Sequence, residues 1–322
     1  MTQLRYSDYA SVLRELLGFR TQKISINAGF TCPNRDGSLS TGGCTYCDNQ
    51  SFVPEYCSPT KTISQQITEG IAFFHHKYQT QKYLAYFQSY TNTYASLEQL
   101  KTLYEEALAH PQVVGLVVGT RPDCVSTELL EYFAQLAKRS YLLIEYGVES
   151  TNDDTLRVIN RGHNYADSVK AIRETAARGI QVGAHLILGL PTENRQTILS
   201  HAKQIARLPL NSLKMHQLQL IKDTKMAQQY AENPEFFRLY TVDEYIDLVI
   251  DFIEYLPKTI AIERFISQTP EEFLIAPKWN VRNFEFVNKL KQRLQERNTW
   301  QGKNLTPIPP PCGGGRGRSA GL

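Results

Sequence analysis

The chain is 322 residues long, with 35 Lys and Arg against 32 Asp and Glu (net charge +3) and 42% hydrophobic residues. It can bury a large core, as one barrel-sized domain or two smaller ones, and its near-neutral balance does not by itself mark a nucleic-acid binder. No N-terminal signal pattern and no apolar run of about 18 residues speak for export or a membrane span, so a soluble, cytoplasmic chain with no membrane partner is expected.

Residues 9–18 read as a short helix with Tyr9, Val12, Leu13, Leu16 and Leu17 on one face, covering an end of the core; residues 1–22 make an N-terminal helical segment. Residues 23–28 alternate as a first strand and open into a loop, Cys32-Pro-Asn-Arg-Asp-Gly-Ser-Leu-Ser-Thr-Gly-Gly-Cys44-Thr-Tyr-Cys47. Residues 63–78 are helical in pattern and lead into an aromatic-rich strand over 83–89. Ser96 and Gln99 can form a capping box that opens a helix through Leu108, followed by a strand over 113–118. Leu129, Leu130, Phe133 and Leu136 stripe the next helix, and 141–146 is the next strand. A helix over 166–178 stops at Gly179 and precedes a strand over 182–188. A helix over 197–207 and a strand over 213–220 complete a sixth pair. Strands this apolar, alternating with helices, predict an α/β fold: a partial (βα)6 TIM-like barrel over residues 23–265.

Thr241 and Glu244 can cap a further helix with Tyr245, Leu248, Val249, Phe252 and Ile253 on its apolar face, and 260–266 reads as one more strand. A short C-terminal extension follows over 266–305. Between residues 278 and 303, seven Lys or Arg stand against two Glu, interleaved with Trp279, Phe284, Phe286 and Trp300. Such a segment either attracts phosphates and stacks on unpaired bases, or forms an amphipathic helix laid on the barrel. Residues 306–322 are a disordered Pro/Gly tail by composition.

The six cysteines make no disulfide framework for a chain of this length and suit a reducing compartment. Cys32, Cys44 and Cys47 read C-x11-C-x2-C, and three thiolates in a Gly- and Ser-rich loop can converge on one soft metal centre. A closed zinc site wants a fourth protein ligand, whereas an iron-sulfur cluster on three cysteines leaves one iron open to a small molecule. Cys57 reads as surface or structural, Cys124 as a small buried hydrophobe and Cys312 as part of the tail. Polar residues gather beyond the C-terminal ends of the strands, where parallel barrels keep their chemistry: Gln88, Ser89, Thr91 and Asn92; Thr120, Arg121 and Asp123; Glu145, Glu149 and Ser150; Gly189 and Glu193. Any one of them could merely cap a helix or solvate a loop, and the shared rim is what marks them. His185, Lys214 and His216 are catalytic or substrate-contacting candidates, because alternate strand positions point into a barrel.

With aromatic Tyr46 before Cys47 and the loop after the first strand, the motif resembles that of the radical S-adenosylmethionine (radical SAM) superfamily. Its long first gap is similar to that of the YhcC/YtqA-like radical SAM group and of the catalytic subunit of Elongator. The resemblance implies a 4Fe-4S cluster on Cys32, Cys44 and Cys47, S-adenosyl-L-methionine on its open iron, and Tyr46 near the adenine. Residues 87–94 stand where other members carry a Gly-Gly-Glu that holds the methionine amino group, which makes Thr91 and Asn92 the candidates here. Residues 119–123, 145–150 and 161–163 look like stretches of the Elongator subunit and bring in Glu145, Glu149 and Ser150 as cofactor-binding residues. Ile187 and Gly189 resemble a motif near the adenine. The implied chemistry is reductive cleavage to a 5′-deoxyadenosyl radical, with a reductant such as flavodoxin or ferredoxin. The YhcC/YtqA-like group implies tRNA as substrate, with a carboxymethylaminomethyl group at C5 of the wobble uridine converted to aminomethyl. The chain leaves no space for an acetyltransferase domain, so trimming a preformed side chain is expected rather than building one from acetyl-CoA. A radical SAM enzyme for a small molecule, similar to the coproporphyrinogen dehydrogenases, a non-catalytic zinc-stabilised RNA-binding module, and a haem or cluster carrier are the alternatives.

Overall fold

The structure, a computed structural model, describes residues 4–48, 53–75 and 81–305. Cys312, the 306–322 tail and the last residues of the helix expected over 63–78 lie outside the described residues. Seven parallel strands form one sheet in chain order: β1 (Thr21–Ile26), β2 (Lys82–Phe87), β3 (Val113–Thr120), β4 (Tyr141–Glu149), β5 (Gln181–Leu188), β6 (Ser212–Gln217) and β8 (Ala261–Arg264). The six strands of the expected βα units are all present, and β8 is the further strand expected over 260–266. The chain leaving β6 does not continue as one strand to residue 220. It turns into β7 (Leu220–Ile221), which pairs antiparallel with β9 (Leu274–Ala276) in a separate ribbon.

The helices are α1 (Tyr9–Leu17), α2 (Ile63–His75), α3 (Leu97–Leu108), α4 (Thr127–Ala137), α5 (Asp153–Val158), α6 (Tyr165–Ala176), α7 (Arg195–Ile205), α8 (Lys225–Glu232), α9 (Val242–Ile253) and α10 (Asn283–Glu296). Their starts follow from local chemistry. Ser96 accepts from Gln99 N at α3, and Thr241 and Glu244 form a reciprocal capping box at α9. Two helices, α5 and α8, have no counterpart in the sequence reading: at six and eight residues they are too short for a resolvable apolar period.

The sheet curls. Lys23 on β1 and Glu263 on β8, the two edge strands, meet with Nζ 2.6 Å from Oε1. Helix α1 closes the N-terminal end of this half-barrel, started by Asp8 and ended by Gly18 in the left-handed region at φ 78°. Its Tyr9 and Leu13 pack with Leu84, Tyr86, Val117, Leu143 and Ala261. Val12 and Leu16, expected on the same face, stay 41% and 58% exposed.

Helix α10 is laid on the barrel, as the amphipathic reading of the basic extension expects. Phe286, Leu290 and Leu294 are fully buried, Trp279 stacks on Phe286 with ring centroids 6.2 Å apart, and its indole N–H donates to the Tyr240 carbonyl at 2.9 Å. Arg293 pairs with Asp247 at 2.7 Å, and Arg297 with Asp251, with Asp247 at 3.4 Å and with Glu254 at 3.5 Å. Both arginines therefore join α10 to the acidic side of α9. Phe284 and Trp300 remain 59% and 41% exposed. Replacing Phe286 by Ala should lower stability by about 3–5 kcal/mol, read as a fall in the urea unfolding midpoint. An unchanged midpoint would show that α10 is not part of the folded core.

Candidate active site

A cavity of about 220 Å³ opens at the C-terminal ends of the strands, and Cys32, Cys44 and Cys47 form part of its wall. Their loop is tied to the connection between α5 and α6. Thr45 N donates to the Ile159 carbonyl at 3.0 Å, Asn160 Nδ2 to the Gly43 carbonyl at 2.8 Å and Asn34 Nδ2 to the Asn160 carbonyl at 2.5 Å. Arg35 Nη2 donates to the Cys47 carbonyl at 2.7 Å. Two further donors reach the Cys44 sulfur, Asn34 Nδ2 at 3.5 Å and Arg161 Nη1 at 3.6 Å. Gly162, at φ 80°, permits this close approach: a Cβ there would stand 2.8 Å from Asn34 Oδ1. Arg161 itself is held by Arg121, whose Nη1 donates to the Arg161 carbonyl at 2.8 Å while its Nε and Nη2 grip Asp123 at 2.9 and 2.7 Å.

Below this loop the cavity meets a charged layer inside the barrel. Lys214 Nζ stands 2.8 Å from both oxygens of Glu145, 3.0 Å from the Tyr86 hydroxyl and 3.4 Å from Glu263. Tyr86 donates to Glu145 at 2.8 Å, and Lys23 and Lys214 lie 4.9 and 4.7 Å from its ring centroid. Burial opposes the charge on Glu145, but Lys214 and then Lys23 outweigh it and hold the carboxyl well below its usual range.

On the upper wall, Glu149 lies 2.9 Å from His185 Nδ1 and 3.9 Å from Arg161. Burial works against its charge, yet His185 and then Arg161 hold its carboxyl down at about 2. The His185 and His216 rings are 4.8 Å apart, and burial, then His185 and Arg264, lower the basicity of His216 well below the ordinary imidazole value.

The structure brings Tyr46, Thr91, Glu145, Glu149, Ile187, His185, Lys214 and His216 to the cavity wall with the three cysteines. It does not bring Asn92, Ser150 or Gly189 there. The Asn92 side chain donates to the Gly119 carbonyl at 2.8 Å. Ser150 is fully buried and donates to Glu193 at 2.6 Å, and Glu193 also accepts from His201 Nε2 at 2.9 Å. Gly189, at φ 92°, faces the Tyr240 ring. Cys57 donates to the Ser25 carbonyl, and burial pushes its thiol up to about 12. Cys124 is likewise raised to about 12, by burial and then Asp123. Sequence reasoning missed Lys23, Tyr86 and Glu263. The signal was present, since charged residues at inward positions of otherwise apolar strands need partners.

Residues 30–205 match the Radical SAM superfamily and residues 210–296 the Radical_SAM C-terminal domain. The chain belongs to the radical SAM superfamily and is an enzyme of that class. Within it, the chain is 35% identical to the uncharacterized protein YtqA of Bacillus subtilis over 94% of its own length and 93% of YtqA. It is 32% identical to the protein YhcC of Escherichia coli over 89% and 91%. A tRNA uridine(34) acetyltransferase of Dehalococcoides mccartyi is 26% identical over 56% of this chain and 39% of its own. Among solved structures, the archaeal Methanocaldococcus infernus Elp3 shares the fold with a TM-score of 0.65 at 16% identity, over 87% of this chain and 64% of that one. Membership implies a 4Fe-4S cluster and S-adenosylmethionine, and sets aside the non-catalytic zinc module. No helix among the described residues is long and apolar enough to cross a membrane.

The residues present fit these groups. Three cysteine sulfurs share a wall with a cavity. Asn34 and Arg161 donate to the Cys44 sulfur, as the outer partners of a cluster thiolate do. Burial, then the neighbouring Cys44 sulfur, raises the Cys47 thiol to about 11, so metal uptake must displace its proton. Glu149 has a depressed carboxyl, so the stabilisation it gives is complete above its ordinary 4.5 and is lost as pH falls toward about 2. The stability difference between wild type and Glu149→Gln, from urea midpoints, should shrink across that window. A difference that stays constant would show that the Glu149 ion pairs do not stabilise the fold.

Proposed function

We propose that this radical SAM enzyme modifies tRNA, converting the carboxymethylaminomethyl group at C5 of the wobble uridine to aminomethyl. The observation that carries the reading is the sequence similarity, over 185 residues of this chain, to a protein named for acting on tRNA uridine 34. The cavity supports it, because its wall carries a carboxylate and a cation that are not paired with each other, Glu149 and Arg264, as a group with an amine and a carboxylate requires.

Cys32, Cys44 and Cys47 would hold the 4Fe-4S cluster, with Tyr46, Thr91, Glu149 and Ile187 around S-adenosylmethionine. When bound, the two cofactors supply a 5′-deoxyadenosyl radical on receipt of an electron from a reductant such as flavodoxin or ferredoxin. The chain's own work is to orient and to exclude. Arg161 and Asn34 donate to the Cys44 sulfur, which neutralises part of its charge. The Lys214–Glu145–Tyr86 layer closes the cavity from below with groups whose hydrogen bonds are already made, so water has little to bind there. The neutral His216 and the Glu149–His185 pair stand ready to take or give a proton on the upper wall.

The protein, reconstituted anaerobically with iron and sulfide and given S-adenosylmethionine and a reductant, should form 5′-deoxyadenosine. The yield should rise with tRNA that carries the carboxymethylaminomethyl group, and digested tRNA should show aminomethyluridine. Deoxyadenosine formation indifferent to tRNA, with no change in the nucleoside, would overturn the tRNA reading and point to a small-molecule substrate. Cys44→Ala should lose the iron-sulfide absorbance and deoxyadenosine together; full absorbance in that variant would remove Cys44 from the cluster.

A further inference from the structure

Arg264 ends β8, and plain strand alternation, with Ala261 and Glu263 turned inward, would send it out toward the helices. A register shift changes that. Leu213 on β6 lies opposite Ile262, but the next residue, Lys214, lies opposite Arg264, so Glu263 is the extra residue of a bulge. Residues opposite one another in a parallel pair share a face. Arg264 is therefore delivered to the cavity wall beside Lys214.

The other cationic groups there are answered. Lys214 has Glu145, Arg121 has Asp123, Arg161 has the Gly147 carbonyl at 2.6 Å, and Arg35 has the Cys47 carbonyl. Arg264 is half-buried, makes no hydrogen bond or ion pair with another described residue, and keeps its Nε shielded from solvent without a partner. A guanidinium left so is costly unless an anion arrives, and its planar fork matches a carboxylate through two parallel hydrogen bonds.

We propose that Arg264 is the anion anchor of the cavity and seats the carboxylate of the substrate's carboxymethylaminomethyl group. The inference rests on the tRNA reading above. A carboxylate could also come from the methionine part of the cofactor, but that end belongs at the open iron beside the cysteine loop, and none of the described side chains that donate to Cys44 or Cys47 comes from β8. Arg264 stands at the end of β8, opposite Lys214 and next to His216 on the cavity wall.

The test is calorimetric titration of the reconstituted protein with 5-carboxymethylaminomethyluridine, 5-aminomethyluridine and S-adenosylmethionine, for wild type, Arg264→Leu and Arg264→Lys, alongside the KM of each for tRNA. Arg264→Leu should weaken the carboxylate-bearing nucleoside by about 30-fold or more and raise the KM for tRNA accordingly. Binding of the aminomethyl nucleoside and of S-adenosylmethionine should not change, and Arg264→Lys should recover part of the loss. Weakened S-adenosylmethionine instead would assign Arg264 to the cofactor's carboxylate and overturn the proposal. So would an Arg264→Leu variant with wild-type KM and nucleoside preference, in an enzyme whose wild type does shorten the side chain in tRNA. A wild type that leaves that side chain intact overturns the tRNA reading itself and the inference with it.

Discussion

Each edge strand of this sheet carries a charge that the other edge neutralises. Lys23 on β1 and Glu263 on β8 meet at 2.6 Å, and Lys214 and Glu145, from strands between them, close the same network. The interior of a parallel barrel is ordinarily filled by layers of branched apolar side chains. Two lysines and two glutamates in that position each pay several kcal/mol in lost hydration, and the arrangement is tenable because every charge has an opposite charge in reach. Tyr86 completes it by donating to Glu145 and presenting its ring to both ammonium groups. Opening the curl would take Lys23 away from Glu263 and leave Lys214 to answer two carboxylates. The curvature that brings seven strand ends around one cavity is thus tied to electrostatics as well as to the hydrophobic sheath outside.

The cysteine loop depends on that curvature at second hand. It has no regular structure of its own and takes its shape from the connection between α5 and α6, through Thr45, Asn34 and Asn160, and from α8, whose Met226 N donates to the Thr45 carbonyl at 2.8 Å. Those elements are positioned by β4 and by the chain leaving β6. Arg161 then bridges the two systems, touching the Cys44 sulfur on one side and the β4 bulge at Gly147 on the other. Glu149, just past that bulge, sits at φ 65°, a conformation a glutamate adopts at some cost. The neighbouring His185 and Arg161 over-determine it.

Much of this was readable from the chain. Strand and helix order, the N-cap at Ser96, the capping box at Thr241 and the end of the barrel at which Cys32, Cys44 and Cys47 gather followed from period, cap chemistry and spacing. What escaped has physical reasons. Helices α5 and α8 are too short to show a period, and the 213–220 run is one apolar stretch that the fold divides between two sheets. Asn92, Ser150 and Gly189 share the rim in sequence but serve it from behind, holding the Gly119 carbonyl, Glu193 and the space before Tyr240. Rim position says which end of the barrel a residue occupies, not whether its side chain turns toward the cavity or toward the helices.

Charge shows the same limit most clearly. Along the sequence the run from 278 to 303 is the obvious basic feature, and Arg264 is one residue at the end of an apolar strand. In the fold the order reverses. Arg293 and Arg297 are spent on the carboxylates of α9, so their contribution is to hold α10 against the barrel. Arg264 is turned to the cavity by a one-residue bulge and meets no carboxylate among the described residues. Counting cations identifies neither fact, because the quantity that matters is the cation left over once local pairing is complete. Pairing is set by register across strands distant in sequence, which composition does not record.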